Sequence, residues 1–133
     1  MSGTQTHFGF SKLLVNDLEA AAAFYASVCG LTELARVDSE IAGRPISEIM
    51  YNPTGEGAAT FVLLQFTDGK TRGSDEVITG FQTNDLDAFV ARVEQAGGSV
   101  VAPIKSMPEH GVRVAFVADP EGHLIEVVEL LAG

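Results

Sequence analysis

The sequence contains its own near copy. Asn16–Gly30 (NDLEAAAAFYASVCG) aligns with Asn84–Gly98 (NDLDAFVARVEQAGG) at an offset of 68 residues. Asn16, Asp17, Leu18, Ala20, Ala23 and Gly30 are identical to Asn84, Asp85, Leu86, Ala88, Ala91 and Gly98, and Glu19 meets Asp87. Ordinary composition predicts about one identity in a stretch this long. A duplication of about half the chain restricts the fold to two similar units, so it outranks any local signal.

Each copy reads as strand, helix and three strands. In the first, Phe8–Val15 is a strand ending at Asn16, a good helix cap with Glu19 three residues on. Leu18, Ala22, Tyr25 and Val28 recur at helical spacing, and Gly30 supplies the stop. Strands follow at Leu31–Val37, Ile46–Tyr51 and Thr60–Phe66, between turns at 42–45 and 52–55. In the second, Val77–Thr83 is a strand, Asn84 and Asp87 mirror the cap, and Leu86, Phe89, Val90 and Val93 form the buried helix face. Strands are expected at Ser99–Ala102, Val112–Val117 and His123–Leu130, with a loop over Lys105–Gly111 and a tight turn at Asp119–Gly122. The expected organisation is one domain over 1–133, with modules at 7–66 and 76–131 and a polar linker at 67–75. The fold class is α+β, two tandem βαβββ modules curling around a shared cavity.

Composition narrows the partners. At 133 residues and 46% hydrophobic, the chain can bury a core without staples. Its single cysteine, Cys29, excludes an intrachain disulfide and a Cys-rich zinc site. Eighteen acidic residues against eight basic ones give a net charge of −10. That argues against nucleic acid and anionic membranes as partners, since both need a positive face. No apolar run reaches the length of a membrane span, and Met1–Gln5 lacks the pattern of an export signal. The expectation is a cytoplasmic protein.

Several stretches together resemble the vicinal oxygen chelate superfamily, the group of glyoxalase I, bleomycin-resistance proteins, extradiol dioxygenases and methylmalonyl-CoA epimerase. They are residues 13–18, Ala23-Phe24-Tyr25, Gly30-Leu31, residues 84–88, Ala96-Gly97-Gly98 and, most specifically, Val114–Glu126. The resemblance implies a cavity in which metal-dependent members place four ligands, on the first and last strand of each module. Carried over singly, those positions fall on Phe10, Leu63, Ile78 and Glu126. Three of the four side chains are hydrocarbon, so no divalent metal and no other cofactor is expected. His7 is three residues from Phe10 and His123 three from Glu126, the wrong parity for a strand face.

Counting in steps of two from Phe10 and Glu126 predicts the cavity face. It takes Phe8, Phe10, Lys12, Phe61, Leu63, Gln65, Ile78, Gly80, Gln82, Leu124, Glu126 and Val128. The large residues Val112, Val114 and Phe116 are assigned to the helices, which sends Arg113 and Ala115 to the cavity. Glu126 is the candidate acid–base residue, with His110 as a second candidate on a loop. Phe8, Phe10, Phe61, Leu63, Gln65, Ile78 and Gln82 are candidate ligand contacts. Lys12 and Arg113 are candidate clamps for an anion or partners for Glu126. Tyr25 and Cys29 read as core.

Two functions fit. One is a metal-independent lyase or isomerase acting on a small oxygenated or aromatic compound. The other is a non-catalytic protein that sequesters an antibiotic or similar ligand, as bleomycin-resistance proteins do. Both imply a small-molecule ligand and a homodimer.

Overall fold

The computed structural model describes residues 8–41, 43–69 and 77–131. The elements run β1 (Phe10–Leu14), α1 (Leu18–Cys29), β2 (Glu33–Ile41), β3 (Arg44–Tyr51), β4 (Thr60–Phe66), β5 (Thr79–Gln82), α2 (Leu86–Gln95), β6 (Ser99–Met107), β7 (Val112–Ala118) and β8 (Leu124–Leu130). This is βαβββ twice, as the duplication predicts. The strands form two four-stranded sheets, ordered β1-β4-β3-β2 and β5-β8-β7-β6. In each sheet the first strand lies parallel to the last strand of its own copy, and the remaining pairs are antiparallel. His7, Ala42, residues 70–75 of the expected linker and residue 76 of the expected second module lie outside the described residues.

Two strands outrun their predicted ends. β2 continues through Asp38, Ser39 and Glu40 because it is a sheet edge exposed along most of its length. β6 continues through Pro103 to Met107, replacing most of the expected loop over Lys105–Gly111, and a 3-10 turn covers Pro108–His110. Its register shifts between Ala102 and Lys105, which stand opposite Phe116 and Val114. Such a bulge on an edge strand is where proline, with no N–H to donate, is tolerated.

The helix ends also move. Asp85, not Asn84, caps α2: its carboxylate accepts from the Ala88 N–H at 3.0 Å. At the other end the Gly98 N–H donates to Val93 O and the Gly97 N–H to Glu94 O, with Gly97 at φ +89°. This is a Schellman stop. Gly97 therefore does for α2 what Gly30, at φ +69°, does for α1, although the sequence repeat pairs Gly30 with Gly98.

Gly98 serves a different need. A Cβ there would sit 2.5 Å from Ala118 O, 2.8 Å from Val93 Cγ1 and 2.9 Å from Phe24 Cε1. The glycine allows a helix end, a strand end and α1 to meet. The chain divides into two compact units, and Glu19–Gly30 of α1 belongs to the second, with the chain from β5 onward. Within the predicted module 7–66, residues 19–30 thus cluster apart from the rest of the module. Phe24, Tyr25 and Val28 of α1 and Leu86, Phe89 and Val93 of α2 are all buried.

A buried carboxylate ties this second unit together. Asp119 is 4% exposed and follows β7 directly. Its oxygens accept from the Tyr25 hydroxyl at 2.9 Å, the Glu121 N–H at 2.9 Å and the His123 N–H at 3.0 Å. His123 Nδ1 lies 2.8 Å from Oδ2. An ionised carboxylate only accepts, so Nδ1 carries the proton. Burial pushes the Asp119 carboxyl up, but the bonds from His123 and Tyr25 outweigh it, and the group stays below the usual carboxylate range. Burial and the neighbouring Asp119 charge raise the Tyr25 phenol far above its ordinary value, so it remains a donor.

Two stability predictions follow from these contacts. Gly98→Ala lowers the unfolding free energy by about 1–3 kcal/mol in urea titrations, because backbone cannot yield to the added methyl. Asp119→Asn costs about 1–3 kcal/mol at neutral pH by weakening the buried network. Because the folded pKa of Asp119 is depressed, its contribution is complete above the unfolded value of about 3.9 and is lost as pH falls through the folded value. The gap between wild type and Asp119→Asn therefore closes on acidification, measured by urea unfolding at pH 7 and pH 3.

Candidate functional site

Residues that oppose each other in register share a sheet face. In the second sheet one face carries Arg113, Ala115, Val117, Ile125, Val127 and Phe81. Ala115, Val117, Ile125 and Val127 are fully buried there, and α2 packs over β6, β7 and β8. The other face carries Gly80 and Gln82 of β5, Glu126 and Val128 of β8, and Val114 and Phe116 of β7. Glu126 is thus on the predicted face, but the β7 assignment is reversed. A helix approaches closest over small residues, so Ala115 goes beneath α2 while Val112, Val114 and Phe116 line the face with Glu126.

Arg113 accordingly leaves the site. Its guanidinium reaches Asp87 Oδ2 at 3.2 Å and Glu129 Oε2 at 3.4 Å. Glu129 Oε1 also accepts from the Leu86 N–H at 2.7 Å, at the first residue of α2. This set holds the start of α2 to β8 and β7.

Gln65 has the matching task in the first copy, where its Oε1 accepts from the Leu18 N–H at 3.0 Å. It is a helix anchor, not a ligand contact. In the first sheet Lys12 stands opposite Val62 and Met50 stands opposite Val62 on the far side. Phe10 and Lys12 therefore share a face with Val62, Leu64 and Glu48, whereas Phe61, Leu63 and Gln65 occupy the opposite face. Phe61 packs its ring 6.2 Å from that of Tyr51, and Leu63 is fully buried. The parity was unreadable because Phe61-Val62-Leu63-Leu64 is apolar throughout. Lys12 Nζ is held by Glu48 Oε1 at 2.8 Å and lies 5.7 Å from the Phe10 ring centre. Phe8 and Phe10 stand exposed.

The register also corrects the position carried over from the family. Gly80, two residues after Ile78, opposes Glu126, while Lys12, two residues after Phe10, opposes Val62. The first-copy counterpart of Glu126 is therefore Val62, not Leu63. The four positions then read Phe10, Val62, Ile78 and Glu126, one carboxylate and three hydrocarbons. Among the described residues no three His, Cys, Asp or Glu side chains gather as a metal site would require. This donor set does not fit a divalent ion. His123, whose Nδ1 is taken by Asp119, and His110, exposed on the 3-10 turn, do not alter that. Among the described residues His110 has no hydrogen-bond or ion-pair partner, and nothing brings it to Glu126.

Glu126 itself is half-buried and, among the described residues, has no ion-pair or hydrogen-bond partner. Beside it, a Cβ built on Gly80 meets nothing within 4 Å. Along the same face lies a cavity of about 420 Å³ lined by Val114, Phe116, Ala102, Pro103, Ile104, Lys105 and Met107. The volume suits a small molecule, and the walls are largely apolar with one cation. Lys105, Val114 and Phe116 were missed in the sequence. The first was read as loop, and the other two were assigned to the helix side.

A smaller cavity of about 230 Å³ lies among Ser27–Gly30, Phe81–Thr83, Phe89 and Arg92. Arg92 Nε donates to Val28 O at 3.1 Å, closing the end of α1. Burial pushes the Cys29 thiol up to about 12, only partly offset by Arg92, which disfavours its thiolate form.

The arrangement of two βαβββ copies with a surviving Glu126 defines a class. The sequence matches the Glyoxalase/Bleomycin resistance protein/Dioxygenase superfamily over residues 4–127, and the chain belongs to that superfamily. It is 28% identical over 125 residues to a probable lactoylglutathione lyase of Vibrio parahaemolyticus, covering 90% of this chain and 87% of the relative. It is 25% identical over 120 residues to the lactoylglutathione lyase of Salmonella typhimurium, covering 90% and 89%. A glyoxalase family protein from Bacillus cereus has the same fold, with a TM-score of 0.85 at 20% identity and 99% of both chains covered. No helix among the described residues is long and apolar enough to cross a membrane.

The open position beside Glu126 gives a prediction for the fold. Gly80→Val is neutral or stabilising by up to about 1 kcal/mol in urea unfolding, since a β-branched residue suits a strand and nothing obstructs it.

Proposed function

We propose that this chain is a small-molecule enzyme of the lyase or isomerase type that works without a divalent metal, with Glu126 as its acid–base residue. The observation that carries this reading is the unpaired, half-buried Glu126 carboxylate on an otherwise apolar face, next to a cavity of about 420 Å³. The two cations expected to neutralise it are held elsewhere, Lys12 by Glu48 and Arg113 by Asp87 and Glu129. A carboxylate in that setting is free to take a proton from a carbon next to a carbonyl, whose oxygen receives the electron pair. Returning the proton to another carbon completes an isomerisation. Expelling a neighbouring leaving group completes an elimination.

The reaction for which the lactoylglutathione lyases are named is not carried over. The family's ligand positions correspond here to Phe10, Val62, Ile78 and Glu126, and hydrocarbon cannot bind a metal. A homodimer belongs to the same proposal, since Phe8, Phe10, Val77 and Ile78 are each more than half exposed and offer apolar surface to a second copy.

The test is proton exchange. The purified chain is incubated in D2O with a panel of small aromatic and aliphatic carbonyl compounds, and loss of the C–H signal is followed by NMR. Wild type exchanges at least one compound, EDTA makes no difference, and Glu126→Gln slows the exchange by about 10²–10⁴-fold. Native mass spectrometry of the same sample reads the copy number, any metal and any retained ligand. Stoichiometric metal overturns the reading. Retained ligand with no exchange in either form establishes the sequestering alternative instead.

A further inference from the structure

Lys105 stands on the same face as Glu126. The register puts Lys105 opposite Val114, Val114 opposite Val128, and Glu126 two residues before Val128 on β8. With strands about 4.8 Å apart and about 3.3 Å per residue, the two Cα atoms lie about 12 Å apart. The floor between them is Val114, Phe116 and Val128. Lys105 lines the cavity, and among the described residues neither it nor Glu126 has an ion-pair partner.

An apolar floor with an unpaired cation at one end and an unpaired carboxylate at the other selects a particular kind of molecule. We infer that the ligand is bipolar: a flat hydrocarbon or aromatic body with an anionic group, such as a carboxylate, that meets Lys105 and a proton donor at its other end that meets Glu126. This deepens the proposed function and rests on its placing of the ligand at Glu126.

The chain's net charge of −10 does not forbid an anion. At physiological salt, charges farther than about 8 Å are largely screened, so the exposed Lys105 ammonium at the cavity wall governs the anionic end. Nor does the bulge at Ala102–Lys105 act only as an edge device. It bends β6 so that Pro103 and Ile104 wall the cavity while Lys105 keeps the register that faces it. Gly80 leaves the carboxylate end open to the donor.

Three fluorescent probes with one aromatic body test this on the full chain. 6-Hydroxy-2-naphthoate carries both groups, 2-naphthol only the donor, and 2-naphthoate only the anion. The bipolar probe is expected to bind about tenfold tighter than either of the others, the worth of one charge-assisted contact. Lys105→Met weakens the bipolar probe and 2-naphthoate about tenfold and leaves 2-naphthol unchanged. Glu126→Gln weakens the bipolar probe and 2-naphthol but not 2-naphthoate. Gly80→Leu weakens the two hydroxylated probes by filling the space beside Glu126.

A bipolar probe that binds no tighter than 2-naphthol, or that ignores Lys105→Met, overturns the inference. If 2-naphthol still responds to Glu126→Gln in that case, the reading of Glu126 survives alone. If no probe binds, or Glu126→Gln changes nothing, both fail together.

Discussion

The second unit is organised around one buried carboxylate. Asp119 accepts hydrogen bonds from a helix that precedes it by more than ninety residues, from the turn that follows it, and from the ring of His123. A buried charge is costly unless every lone pair is used. Here the cost is offset by joining Tyr25 of α1 to the β7–β8 turn. The same contact fixes where β8 begins, and so which of its residues face α2 and which face away. Glu126 owes its orientation to that phase.

Helix approach then sorts the chemistry of the sheet. α2 settles over Ala115, whose small side chain lets the helix axis come close. Val114 and Phe116 take the other face, together with the one carboxylate of the strand that has no partner among the described residues. Arg113 is drawn to the helix side by Asp87 and Glu129, and so it does not neutralise Glu126. The apolar character of the candidate site and its single acid both come from where the helix lies. The equivalent helix-start anchors, Gln65 to Leu18 and Glu129 to Leu86, show the duplication persisting in hydrogen bonding where the sequence has diverged.

The order and type of the strands and α-helices could be read from the sequence, because a repeat of fifteen residues with matching punctuation constrains both halves at once. The face that Glu126 takes was legible for a different reason, the family resemblance, which is most specific over Val114–Glu126. The face of β4 was not, since four successive apolar residues carry no alternation. Nor was the role of Lys105, because a proline two residues earlier reads as the end of a strand unless the strand is known to be an edge. The pairings of Lys12 and Arg113 were invisible too: Glu48 and Glu129 sit 36 and 16 residues away in sequence, and only strand register makes them neighbours.

The sequence by itself determined the duplication, the α+β class, the acidic balance and the hydrocarbon side chains at Phe10 and Ile78. These depend on residue identity and local periodicity, which the chain states directly. Tertiary structure decided which side of each sheet a residue occupies, which charges neutralise one another, and that α1 packs with the second half of the chain. Those outcomes depend on register and on helix approach distance, and both are set by contacts between segments far apart in sequence.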